Sequence, residues 1–377
     1  MKINPLKQLE ALGQSIWLDY IKRDLITSGK LKKLIEEDGL HGMTSNPSLF
    51  EKAITESHDY DEDIKRMSNE GKSVNEIYEF LTQKDVKDAA DEFRPLYNQL
   101  NGKDGFVSLE VNPHLAHDTK GSIEEARRLW AALNRPNVFI KIPATKEGIP
   151  AIQQLISEGI NVNVTLLFGL PRYREVVEAY IAGIEERLSQ GKSVEHISSV
   201  ASFFLSRIDV LIDPLLEKYS IENTDKAKLA KELQGEIAIA SAKLAYQIYD
   251  ELFMSDSFKK LAEHGASVQR LLWASTGTKN PHYSDIKYVE ALIGPLTVNT
   301  LPLETINAYR DHGDPKIRLT SDIDKATFTF KCLPEVGIYI DQVTQQLENE
   351  GVDKFNQSYD NLISTLSNAI HSGCKDE

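Results

Sequence analysis

The sequence predicts an α/β protein, a closed (β/α)8 TIM barrel with extra helices. Three observations lead there. Eight short runs rich in β-branched and other apolar residues recur along the chain. Longer segments with helical spacing of apolar residues separate them. No Pro/Gly/Ser-rich linker, repeat or low-complexity tract divides the 377 residues. Several runs are apolar along most of their length, as parallel strands covered on both faces are. Eight strand–helix units in series favour a closed barrel over an open sheet.

In order, the expected strands are Ser15–Asp19, Gly42–Ser45, Phe106–Val111, Val138–Ile142, Asn161–Leu167, Ile197–Phe203, Arg270–Ala274 and Leu296–Asn299. Between the third and fourth, Ser122 and Glu125 match a capping box, and Ile123, Leu129, Trp130 and Leu133 share one side of the helix that follows. Ile149, Ile152, Leu155 and Ile156 mark the next helix, which Gly159 ends. Leu229 to Phe253, rich in Ala, Leu and Ile, reads as one long helix. Two stretches exceed a minimal barrel: residues 51–100, a charged helical insertion, and residues 310–377, a helical C-terminal appendage with helical patches at Ile338–Leu347 and Asp353–Ile370. The expectation is a single domain over 1–377.

Lys plus Arg number 43 and Asp plus Glu 57, a formal charge of −14. That balance argues against a nucleic-acid partner, whose phosphates attract clustered cations, but allows a small phosphorylated substrate. No run of about 20 apolar residues could span a bilayer, so no membrane partner is expected. The start, MKINPLKQLEALGQSIW, has no basic region followed by an apolar run, and a reducing cytoplasmic location is expected. Neither cysteine, Cys332 or Cys374, belongs to a CxxC pair, so a zinc knuckle or disulfide framework is not expected, and both thiols read as unreactive. His114 and His117 are spaced i, i+3 without a third ligand and read as surface histidines rather than a metal site.

Active sites of such barrels form at the carboxyl ends of the strands, so polar residues inside or ending the apolar runs are the candidates. Asp19 ends the first run, and Thr44, Ser45 and Asn46 end the second. Glu110 lies in the third, Lys141 in the fourth, and Asn163 and Thr165 in the fifth. Ser202 and Arg207 belong to the sixth and its end, Ser275 follows the seventh, and Thr300 the eighth. Lys141, embedded in VFIKIP, is the most informative. Burial disfavours a lysine's ammonium form, and a neutral amine can attack a carbonyl to form a Schiff base. A buried ion pair with a carboxylate is the other reading. Glu110 carries the same pair of readings, neutralising Lys141 or moving protons through water. Asp19 could be a cap or a catalyst. Asn163 and Thr165 point to one face of their strand, where a hydroxylated substrate or an internal polar network would satisfy them. After the seventh run, Ser275-Thr276-Gly277-Thr278-Lys279 offers hydroxyls, N–H groups and a cation where barrels often bind phosphate. Convergence of so many polar groups on one barrel mouth makes a site the better reading.

The segments TSNPSLF (Thr44–Phe50), VSLEVNP (Val107–Pro113), FIKIPAT (Phe139–Thr145), GINVNVTLLF (Gly159–Phe168), SVASFFLSRID (Ser199–Asp209) and LWASTGTKNP (Leu272–Pro281) occur in an order that resembles the transaldolases, class I Schiff-base aldolases of the pentose phosphate pathway. The resemblance covers about residues 15–310. The long insertions and WASTGTKNP resemble the bacterial subfamily that also occurs fused to a glucose-6-phosphate isomerase domain, a partner this chain is expected to lack.

The resemblance implies dihydroxyacetone transfer from fructose 6-phosphate or sedoheptulose 7-phosphate to erythrose 4-phosphate or glyceraldehyde 3-phosphate, with no metal or organic cofactor. It implies that Lys141 is the Schiff-base lysine, Asp19 the acid/base for carbon–carbon cleavage, and Glu110 with Thr165 the holders of a catalytic water. Asn46 and Asn163 would bind substrate hydroxyls, with Thr44 and Ser202 as further contacts. Arg207 would bind phosphate, with Ser275 beside it. Where many members carry a second arginine after the seventh strand, this chain reads STGTK, and Lys279 is the candidate replacement. Alternatives are an aldolase releasing dihydroxyacetone and a non-catalytic sugar-phosphate binding barrel. A monomer or a homodimer is expected.

Overall fold

Eight parallel strands pair in chain order, and the last closes onto the first. They are β1 (Gln14–Asp19), β2 (Leu40–Thr44), β3 (Phe106–Glu110), β4 (Val138–Pro143), β5 (Val162–Leu167), β6 (Ser199–Phe204), β7 (Arg270–Ala274) and β8 (Thr297–Leu301). The computed structural model describes residues 4–220 and 225–373, so Cys374 lies outside the described residues. Every strand begins and ends within two residues of its expected span, as strand boundaries commonly shift. Each is buried almost throughout, as a barrel wall under a ring of helices must be.

The barrel interior is layered. Near its amino end Trp17, Phe106 and Phe139 stack, with Phe106 and Phe139 centroids 4.3 Å apart. Gly42 leaves the space they need: a Cβ there would lie 2.6 Å from the Trp17 ring and 2.8 Å from the Phe106 carbonyl oxygen. Below them a polar plug closes the floor. Arg270 Nη1 lies 3.2 Å from Asp104 Oδ2, and Trp17 Nε1 donates to Asp104 Oδ1 at 2.9 Å. Burial pushes the Asp104 carboxyl up, but the Arg270 and His41 cations and the Ser15 hydroxyl hold it well below the usual carboxylate range. This end of a barrel serves stability, and chemistry gathers at the other.

Two local expectations are corrected and a third is extended. The helix expected after Ser122 starts earlier, at Thr119, because Asp118 caps it by accepting from Gly121 N at 3.0 Å. Ser122 then sits inside the helix and donates to Leu115 O, while Glu125 accepts from Asn112 N. A capping box does occur at Ser73–Glu76, opening the helix Val74–Gln99. Leu229–Phe253 is not one helix. It breaks between Asp225–Leu233 and Ile237–Phe253, with Gly235 at φ 72°. Asp213 and Asp209, on the helix Ser206–Tyr219, accept from Gly235 N and Ala238 N at 2.8 Å each, so another helix supplies the caps. Finally, the helical patches at Ile338–Leu347 and Asp353–Ile370 belong to one continuous helix, Ile340–Gly373. The stretch between β2 and β3 comprises the helices Pro47–Thr55, Asp61–Asn69 and Val74–Gln99.

Candidate active site

A cavity of about 520 Å3 opens at the carboxyl ends of the strands. β1 contributes Asp19, β2 Thr44 and the following Asn46, β4 Lys141, β5 Thr165 and β6 Ser202. Arg207, Ser275 and Lys279 enter from the segments after β6 and β7. Nine of the eleven residues to which the resemblance gives a role therefore line one space. Glu110 and Asn163 do not, but both flank Lys141 directly, since the register pairs Glu110 with Lys141 and Lys141 with Asn163.

Lys141 is 4% exposed. Its Nζ donates to the Ser45 carbonyl oxygen at 2.9 Å and makes ionic contact with Glu110 Oε2 at 3.3 Å. That carboxylate oxygen has no hydrogen-bonded partner among the described residues, and neither has the buried Thr165 hydroxyl. Burial pushes the Glu110 carboxyl up, and the Lys141 charge pulls it part of the way back. An interrupted β5–β6 register carries the chain past Thr165, with Leu166 at φ 54°. Such an irregularity near a barrel rim re-aims side chains.

Asp19 stands at the end of β1 opposite Thr44 in register. The Thr44 hydroxyl lies 2.8 Å from Asp19 Oδ1 and 2.8 Å from the Thr300 hydroxyl. Burial raises the Asp19 pKa, against the Thr44 hydrogen bond and the charges of Lys141, Lys279 and Arg207. Two carboxyls with elevated pKa thus accompany one buried lysine, the kind of perturbation that marks acid/base sites.

Both polar atoms of the Asn163 amide have partners: Nδ2 donates to Ser108 Oγ at 3.0 Å, and Oδ1 accepts from Ser202 Oγ at 2.6 Å. Asn46 does two things. Its Oδ1 caps the helix Pro47–Thr55 by accepting from Leu49 N at 3.0 Å, and its side chain still borders the cavity.

At the outer end Arg207 lies over the Phe204 ring, 5.3 Å from its centroid. Burial lowers its pKa, while Asp19 and Glu350 act to raise it. Ser275, at φ 55°, has its hydroxyl 2.9 Å from that of Ser206. Sequence reasoning missed the contribution of the C-terminal helix, which brings Leu347, Glu350, Lys354 and Phe355 to the cavity wall. The spacing of Leu347, Gly351, Lys354 and Phe355, i, i+4, i+7, i+8, was the available signal for one shared face. It also missed Thr300 as a partner of Thr44.

His114 and His117 meet different carboxylates, Asp360 at 2.8 Å and Glu147 at 3.1 Å. Among the described residues no group of three or more His, Cys, Asp or Glu side chains is arranged to hold a metal ion, and no helix is long and apolar enough to cross a membrane. Cys332 is buried, which pushes its thiol pKa up.

A closed parallel barrel with convergent titratable groups at its carboxyl face defines a barrel enzyme. Residues 16–366 match the family described as transaldolase/fructose-6-phosphate aldolase. The chain is 49% identical over 375 residues to a transaldolase of Trichodesmium erythraeum, with 98% of each chain covered. Transaldolases of Saccharopolyspora erythraea and Mycobacterium bovis are 47% and 46% identical, with 96% of each chain covered. The chain belongs to the transaldolase/fructose-6-phosphate aldolase family, and its activity is that of a transaldolase, a transferase of carbohydrate metabolism. The match extends well past residue 310, so it takes in most of the C-terminal helix.

Proposed function

We propose that the enzyme moves a dihydroxyacetone unit from sedoheptulose 7-phosphate or fructose 6-phosphate to glyceraldehyde 3-phosphate or erythrose 4-phosphate through a Schiff base on Lys141, in the cytoplasmic pentose phosphate pathway. The observation that carries this reading is the buried Lys141 amine, in contact with Glu110 and open to a cavity that Asp19 and several cations share. Attack by the neutral amine on the donor's ketone gives a carbinolamine. Glu110, made more basic by burial, takes the ammonium proton; with Thr165 it holds the water through which protons pass as hydroxide leaves as water.

The resulting iminium is an electron sink. Asp19, also made more basic by burial, removes the proton of the C4 hydroxyl, the C3–C4 bond breaks, and its electron pair enters the enamine. The aldehyde product departs and the acceptor aldehyde enters. The enamine attacks the new carbonyl, Asp19 returns its proton, and water releases the ketose. Water exclusion and polar contacts from Asn46 and from the Asn163 network would keep the enamine from being protonated to free dihydroxyacetone. Arg207, with Ser275 and Lys279, binds the phosphate.

Borohydride reduction in the presence of fructose 6-phosphate, read by peptide mass spectrometry, tests the reading. A reduced three-carbon adduct on Lys141, together with sedoheptulose 7-phosphate formed only when erythrose 4-phosphate is added, is the expected result. An adduct on another lysine would overturn the residue assignment, and release of dihydroxyacetone regardless of acceptor would replace transfer with simple cleavage.

A further inference from the structure

One cation on the cavity wall has no role in the mechanism above. Lys354 projects from the C-terminal helix into the space shared with Arg207 and Lys279. In a chain of net charge −14, these three side chains make no hydrogen bond or ion pair among the described residues. We propose that Lys354 is a phosphate-binding, specificity-determining residue, carried to the barrel mouth by the C-terminal helix. The inference rests on the sugar-phosphate reading of the same site.

Three arguments support it. A phosphate monoester carries nearly two negative charges near pH 7, and Glu350 on the same cavity wall offsets part of the charge that Arg207 and Lys279 bring to it. Arg207 comes from the segment after β6, Lys279 from the segment after β7 and Lys354 from the helix crossing above, so the three approach from different directions. Second, the approach of that helix is close. A Cβ on Gly351 would lie 2.9 Å from Leu166 Cδ2 and 3.6 Å from Arg207 Nη1. Lys354 follows three residues later, on the same helix face. Third, the arrangement is electrostatically unfavourable without an anion. The Lys354 pKa is lowered chiefly by Arg207, then by burial and by Lys279 and Lys52. Glu350 also borders this part of the cavity and offsets some of that charge. A lysine in this position acts as a point charge, supplementing Arg207, which can bind bidentately.

The test uses the full chain and its Lys354→Met and Lys354→Arg variants, matched for unfolding midpoint. Inorganic phosphate binding is measured by titration calorimetry, and KM and kcat are measured for fructose 6-phosphate with erythrose 4-phosphate. The expectation is that Lys354→Met weakens phosphate binding and raises KM by about tenfold, the strength of one charge-assisted contact. The loss falls on KM more than on kcat, and Lys354→Arg recovers most of it. Phosphate affinity equal in wild type and Lys354→Met, or no phosphate binding by wild type, overturns the proposal. The calorimetric readout needs no chemistry at Lys141. Failure to trap an adduct there, with phosphate binding still dependent on Lys354, would remove the Schiff-base reading and leave the anion site standing.

Discussion

Lys141 and Glu110 occupy paired positions on adjacent strands, and their charged ends lie 3.3 Å apart inside the barrel. Two buried charges in contact cost desolvation that their attraction only partly returns. The arrangement makes chemical sense if the carboxylate handles protons for the amine. Substituting Glu110→Gln keeps the shape and removes the base. The rate of adduct formation on Lys141, followed by borohydride trapping at timed intervals, should fall by about 10²-fold. A rate within twofold of wild type would reduce Glu110 to a structural counter-ion.

Asp19 should act later in the reaction. In Asp19→Asn the Lys141 adduct should still form, while cleavage of fructose 6-phosphate slows by about 10³-fold. Stability should move the other way. Burial raises the Asp19 pKa, so the folded state binds the proton more tightly than the unfolded state. Stability from such a group falls as pH rises from the unfolded value through the folded one. The Asn variant escapes that loss, so its unfolding midpoint should exceed that of wild type at pH 7. The advantage should vanish below about pH 3.9, where the unfolded carboxyl is also protonated. Equal midpoints at both pH values would count against a strained, ionised Asp19.

The barrel was legible because parallel strands buried on both faces leave apolar runs that differ from amphipathic helices. Lys141 and Glu110 stood out for the same reason, as charges inside such runs. What the sequence hid was tertiary. Gly351 offers no local hint that a helix will press against Leu166 and Arg207, so nothing in the sequence singled out Lys354. The break at Gly235 was masked by the surrounding Ala, Leu and Ile, because its capping partners Asp209 and Asp213 come from another helix. Asn163 was legible as an inward polar residue, but its hydrogen bonds with Ser108 and Ser202 required knowing which strands are neighbours.

Asp209 carries a second pH signature, away from the reacting atoms. Its carboxyl accepts from Ala238 N and from the Tyr288 hydroxyl, and burial raises its pKa to about 6. The shift is from 3.8 to about 6, worth about 3 kcal/mol at 1.36 kcal/mol per unit. The sign is that of a raised carboxyl. Its contribution is fully present below about pH 4 and is lost as pH rises toward 6. Urea unfolding of wild type and Asp209→Asn at pH 4 and pH 7 should show their stability difference shifting by that amount in favour of the Asn variant. A pH-independent difference would mean that Asp209 titrates normally in the folded protein.

Asn46 joins stability and function in one side chain, and substitution can separate them. Its Oδ1 caps the helix Pro47–Thr55, and its amide borders the cavity. Aspartate keeps the capping oxygen, and a negative charge at a helix N-terminus is favourable. It removes the NH2 donor that would hold the enamine's hydroxyls. Alanine removes both. Asn46→Asp should therefore unfold close to wild type, whereas Asn46→Ala should lose about 1 kcal/mol. Both variants should release more free dihydroxyacetone per sedoheptulose 7-phosphate formed, because the enamine is less well held against protonation. The informative comparison is the product ratio in Asn46→Asp, where the cap is intact. An unchanged ratio there would assign Asn46 to the helix alone and shift retention of the enamine onto Asn163 and its serine partners.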